Sequence, residues 1–329
     1  MVPHWIEVKS TLRRLTILVG EDTRSIDMET ILGFSGELFA LLAAFLWAFS
    51  SVLFSDLGKT IKPVELNLIK GIGAILLLTI TSLLLKENVG SLSFQVILLL
   101  FISGAIGIGF GDTMYFEAIN LIGPRRSLLI STIAPIITAI LALVFLDEKI
   151  APLAWIGVVV TTLGITLVIS QMRGRDEVES RVNRKGLVFA FLFAIAQAVG
   201  AVISRWALTQ TSISPLQSAV VRLFAGIAFL FIWIAFRRVK LGEWTRSGKD
   251  SAKIWRIVLV VIVLGAYFPL WLQQLSFKNT AVGVAQTLLA TAPLFILPMT
   301  ALRKDKAGLK EILGVIVSVA GIAILFLVN

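Results

Sequence analysis

The chain has no cysteine and one histidine, His4, in 329 residues. Without cysteine there are no disulfides, iron–sulfur clusters, thiolate zinc sites or cysteine nucleophile. With His4 alone, a histidine metal centre lacks its ligands. Charge is also scarce, at 15% of residues against about 25% in a soluble domain. The sequence contains no G-x-S-x-G, H-E-x-x-H or P-loop string. The glycine-rich GAIGIGFGD at 104–112 lacks the Lys-Ser/Thr of a P-loop and lies in an apolar run, where small residues serve close helix packing. No cofactor and no metal is expected, and the energy for any work must come from a gradient or a partner subunit.

What the sequence has in excess is apolar surface: 57% hydrophobic residues and a mean hydropathy of +0.93. The formal charge of +10 does not point to nucleic acid. Lys and Arg sit in short segments between apolar runs, where they orient a membrane chain and meet anionic headgroups. A bilayer core about 30 Å thick needs roughly 20 apolar residues in a helix. Ten windows meet that length: Gly36–Ser55, Pro63–Leu85, Phe94–Ala118, Pro124–Leu146, Pro152–Gln171, Gly186–Arg205, Pro215–Phe236, Trp255–Leu275, Thr280–Leu302 and Leu309–Val328. None alternates with period two, which excludes a β-barrel, and helices satisfy their own backbone in lipid. The fold expected is an all-α membrane protein with ten transmembrane helices.

The windows divide into two sets, 36–171 and 186–328, joined by a polar linker at 172–185. Gly36, Phe39 and Ala40 match Gly186, Phe189 and Ala190. Lys70 and Arg222 each follow a proline, Pro63 or Pro215, by seven residues. Pro135 matches Pro293, Glu148 matches Asp305, and Gly157 and Gly164 match Gly314 and Gly321. An odd number of helices per set turns the second set upside down, giving two inverted five-helix repeats, an architecture of secondary transporters. Residues 1–35 are mixed and charged; they read either as a surface extension without fixed structure or as an over-long start, with Met28 the initiator.

This pattern, with a basic residue in each second helix, a P…(G/D)E…G…G ending and the segment GDTMYFEAINLIGPRRSLLISTIAPIITAILALVFLDEK, resembles the EamA family of the drug/metabolite transporter superfamily. The likeness spans about residues 36–328. It implies a multi-pass plasma-membrane carrier of a small-molecule solute, the cargo classes it suggests being amino acids, other organic metabolites or toxic compounds, with an amino acid or related organic solute taken first. The second half departs from the pattern, having Asp305 in place of Glu148 and WLQQLSF in place of GDxxYF.

Candidate site residues follow from depth. Lys70 and Arg222 lie about 10 Å inside their helices, as cations facing a central cavity or as snorkelling side chains. Asp112 shares a helix face with Tyr115, and a carboxylate at that depth offers a route for a coupling proton. Glu117 belongs to the interface. Pro135 and Pro293 interrupt corresponding helices and release the carbonyls of Ser131 and Leu289, either lining a cavity or as kinks set by packing. Trp47 and Gln197 hold equivalent mid-depth positions; Gln197 has to face protein or pore. The rival classes are an intramembrane enzyme, which lacks a nucleophile–base pair here, and a channel or scaffold without transport. Oligomeric state is not legible.

Orientation draws two opposed expectations. Connections after the odd-numbered helices carry most of the Lys and Arg, as in RRVKLGEWTRSGKDSAK, which puts them in the cytoplasm and both termini outside. The family resemblance implies cytoplasmic termini. On the local charge count, a reporter fused at Asn329 is expected on the outer face; cytoplasmic activity would decide for the family orientation.

Overall fold

The computed structural model describes residues 34–57, 60–87, 92–171, 183–239, 241–242, 251–301 and 309–328. The N-terminal extension, most of the linker, Asp305 and most of the basic connection after the seventh window lie outside these residues. Within the described residues thirteen α-helices run in order: α1 (Ser35–Leu57), α2 (Pro63–Leu84), α3 (Phe94–Gly104), α4 (Gly111–Ser131), α5 (Ala134–Leu146), α6 (Pro152–Gln171), α7 (Arg184–Gln210), α8 (Pro215–Arg237), α9 (Ser251–Ile262), α10 (Phe268–Asn279), α11 (Val282–Leu289), α12 (Ala292–Ala301) and α13 (Leu309–Val328). Among the described residues there is no strand. Eight helical stretches are long and apolar enough to cross a membrane, and Ser35–Ser51 and Val282–Ile296 are shorter apolar helices.

Four interruptions break the helices inside apolar windows. α3 passes into α4 through a π-helical segment, Ala105–Phe110, and α9 passes into α10 through another, Val263–Tyr267. α4 stops at Ser131 before α5, and α11 stops at Leu289 before α12. Each kind of break therefore occurs once in each half, at matching places. The helix ends one turn ahead of Pro135 and of Pro293, so both prolines stand in the first turn of a new helix, where a missing N–H costs nothing. Hydroxyls absorb part of the loss: Ser131 and Thr132 donate to Leu128 O and Leu129 O at 2.7 Å each, and Thr291 to Leu288 O at 2.6 Å. α4 itself bends at Gly123 (φ 81°) next to Pro124, a φ that a side chain resists, which marks the expected boundary between the third and fourth windows.

The halves exchange partners. α1 packs on α10, α11 and α12, while α7 packs on α4 and α5. The first π segment touches α7 and α8, and the second touches α1 and α2. Small residues make the crossings possible. A Cβ on Gly200 of α7 would stand 2.9 Å from the Gly107 Cα, and one on Gly265 would stand 2.9 Å from the Ser50 Cβ of α1.

α6 and α13 meet along the glycines that align between the repeats. A Cβ on Gly157 would lie 2.7 Å from Leu325 Cδ2, and one on Gly314 would lie 2.9 Å from Gly164 O. Gly157 faces the Gly321 end of α13 and Gly164 the Gly314 end, so the two helices run antiparallel. Elsewhere on the helices large apolar side chains are exposed, among them Leu76 of α2, Leu163 of α6, Ile232 of α8 and Ile316 of α13, as a lipid-facing belt requires.

A polar knot also ties the halves. Glu148 accepts from Arg205 Nη2 at 2.7 Å and from Val282 N at 3.0 Å, capping α11. Arg205 Nη1 donates in turn to Phe277 O at 2.6 Å. Glu87 pairs with Ser214, and Glu37 with Thr280, across the same division.

Replacing Gly164 by Leu drives a side chain into the backbone of α13, and overpacking of this kind costs roughly 1–3 kcal/mol or more. A lowered melting temperature of the detergent-purified chain is expected, while Leu163→Ala, at a residue 60% exposed, should change little. Equal melting of Gly164→Leu and the parent chain would refute the close seam.

Candidate functional site

The interruptions converge on one cavity of about 290 Å³. Both halves line it. From the first come Trp47, Lys70, Asp112, Ser131 and Pro135; from the second come Gln197, Arg222, Gln273 and Gln286. Seven of the nine positions singled out in the sequence thus meet in one space. Their arrangement follows the repeat: Trp47 and Gln197, Lys70 and Arg222, and Ser131 and Leu289 are corresponding residues, and all six line the cavity. Apolar wall is supplied by Phe193, Leu223, Ile227, Leu230 and Leu270.

Local sequence explains how these groups reach the space. α2 and α8 both start at a proline, which sets the first turn, and Ser214 with Gln217 forms a capping box that fixes the start of α8. Lys70 and Arg222 then lie at the same depth on their respective helices. A Cβ on Gly104 would collide with the backbone of Arg222, so only glycine there lets α8 approach α3. Gln197 donates to Gly107 O at 3.0 Å, a carbonyl inside the first π segment, where wider turns loosen the backbone ladder.

The charges are unequally matched. Lys70 and Asp112 interact electrostatically, and Asn67 Nδ2 donates to Asp112 Oδ2 at 3.4 Å. Arg222 is 4% exposed, and its Nε and Nη1 are buried without a hydrogen-bond partner among the described residues. Gln286 likewise presents an unpartnered amide oxygen. A buried charge or amide is costly unless something satisfies it, and Arg222 and Gln286 are cavity-lining groups that the described residues leave unsatisfied.

Two sequence candidates stand apart. Tyr115 does not line the cavity; its ring packs on Phe193 at 4.7 Å between centroids, and Phe193 forms the wall. Three residues advance a helix by about 300°, enough to turn Tyr115 toward α7 while Asp112 faces inward. Pro293 is buried but does not line the space, whereas Leu289 and Ala290 just ahead of it do. Glu117 is ion-paired with Arg237 at 3.1 Å near the surface, consistent with an interface residue. Asn67, Gln273 and Gln286 are not distinguished by sequence, because single amides near helix ends look like interface residues. Their one signal is that each lies about one turn from a residue facing the same space.

Comparison with known proteins fits this geometry. No curated protein sequence matches the chain. Twenty-nine chains of solved structures match; one crystal structure superposes with a TM-score of 0.72 at 16% identity, covering 89% of this chain and 97% of that one, a likeness of fold alone. A sequence model described as the EamA-like transporter family matches residues 34–170 and again residues 184–327. The chain is a multi-pass membrane protein that belongs to the EamA-like transporter family, with one family unit in each half.

Proposed function

We propose that the chain is a secondary carrier of a small organic solute, an amino acid or related metabolite, working by alternating access in the plasma membrane. In this reading ten helices form two inverted five-helix repeats that rock about the central cavity. The observation that carries it is the cavity itself, lined by corresponding residues of both repeats, with a basic residue from each second helix. The antiparallel pairing of α6 with α13 and the exchange of packing partners between halves support the inversion. Helix breaks beside a site, in matched segments, are the usual mark of a carrier.

Lys70, Arg222, Asp112, Gln197, Ser131 and Trp47 contact the solute in this scheme, with Tyr115 bracing the wall through Phe193. Pro135 and Pro293 keep open the helix breaks at the cavity edge. Asp112 carries the coupling proton, since it is the carboxylate that lines the cavity and its partner Lys70 comes from a neighbouring helix.

A compound that stabilises the purified chain in a metabolite screen is expected to show counterflow in proteoliposomes, with labelled solute accumulating transiently against its gradient. Purely downhill flux without exchange would indicate a channel. With the same compound, Asp112→Asn is expected to keep exchange but lose its dependence on the pH gradient. Full pH-gradient dependence in Asp112→Asn would remove the residue from the coupling scheme.

A further inference from the structure

The two repeats are alike in their cations and unlike in their anions. In the first, Lys70 has Asp112 for company across the cavity wall. In the second, the residue standing as far ahead of Pro293 as Asp112 stands ahead of Pro135 is Leu270. Leu270 lines the same cavity and is half-buried, as Asp112 is. The match does not hang on one register, because α10 (FPLWLQQLSFKN) contains no acidic residue. Among the described residues Arg222 is thus the cation whose position in the repeat is not matched by a carboxylate, and its buried Nε and Nη1 are left there without partners.

Taking the cavity as the solute site, as proposed above, and narrowing the metabolite class given there, we infer that the cargo is a small organic monoanion, not a zwitterionic amino acid, whose carboxylate docks on Arg222, filling the role that Asp112 fills beside Lys70. With Asp112 ionised, the charges of the cavity then sum to neutrality only when cargo is present: Lys70 offsets Asp112, and Arg222 is offset by the guest. An Arg guanidinium offers paired donors in a planar fork that fits a carboxylate. The apolar body of the cargo lies against Leu223, Ile227 and Leu230. A hydroxyl or amide N–H on the cargo reaches the free oxygen of Gln286. A cavity of about 290 Å³ limits that body to a small aromatic or short aliphatic group.

The test uses size-matched probes on the detergent-purified full chain, read by thermal stabilisation: 3-phenylpropanoate, 3-phenylpropanamide, 3-phenylpropylamine and phenylalanine, with hexanoate, hexanamide and hexylamine as an aliphatic set. The carboxylates are expected to stabilise the chain most. Arg222→Gln should weaken their binding by about tenfold to a hundredfold, the range of a charge-assisted hydrogen bond. Because removal of a buried Arg can disturb folding, Leu270→Asp provides the second arm: it keeps Arg222 but installs the absent carboxylate, and should abolish carboxylate binding where Leu270→Asn does not. Stabilisation by the amide, amine or zwitterion equal to that by the carboxylate would overturn the inference. So would the absence of stabilisation by any carboxylate, or its survival in Leu270→Asp. Counterflow separates this from the carrier reading. Carboxylate binding without exchange refutes the carrier and leaves the anion site standing, whereas exchange of neutral or cationic solutes alone does the reverse.

Discussion

A backbone amide in hydrocarbon has no water to turn to, and this constraint organises the molecule. Along six of the ten apolar windows the answer is an uninterrupted helix, which satisfies its own N–H and C=O groups. The interruptions gather where protein, not lipid, surrounds them: two π segments and two helix breaks, all bordering the cavity or the helices that form it. Irregular backbone is tolerated only in such surroundings. Site and irregularity thus share one location because each requires the other. The cavity gives the loosened carbonyls polar company, as Gln197 does for Gly107, and the loosened turns make room for the cavity.

The second organising fact is exchange between the halves. α1 does not pack chiefly within its own repeat; it lies on the third and fourth windows of the other, and α7 reciprocates. Glu148 belongs to the first half by sequence, yet it caps a helix and binds an arginine of the second. A single core is built from two units that each lack a complete set of neighbours. Neither half offers Lys70 or Arg222 a finished environment without the other.

The sequence is legible where the physics is local. Length and hydropathy define the helical windows, and the equal seven-residue steps from Pro63 to Lys70 and Pro215 to Arg222, and from Gly157 to Gly164 and Gly314 to Gly321, reveal the duplication. Depth along the helix is enough to select Lys70, Asp112, Gln197 and Arg222. Features set by the partner helix are not legible. A π turn leaves composition unchanged, so AIGIGF and VLGAY read as ordinary apolar helix. Tyr115 is expected beside Asp112, but its face is decided by where α7 lies. Leu270 carries no signal at all, because an apolar residue in an apolar helix is noticed only when its counterpart is a carboxylate. Glu148 is visible as a repeated acidic position, but its bond to Arg205 spans the two halves and has no trace in spacing.

The glycine seam between α6 and α13 has a mechanical consequence. Where two backbones touch, sliding or separation meets steep repulsion or loses dense contact, so that edge of the bundle is stiff. Compliance has to reside where the hydrogen-bond ladder is already broken, at 105–110, 132–133, 263–267 and 290–291. In the proposed carrier, deformation would be concentrated in the walls of the cavity, the seam would act as a pivot, and a guest settling there would gain leverage over the shape of the whole bundle.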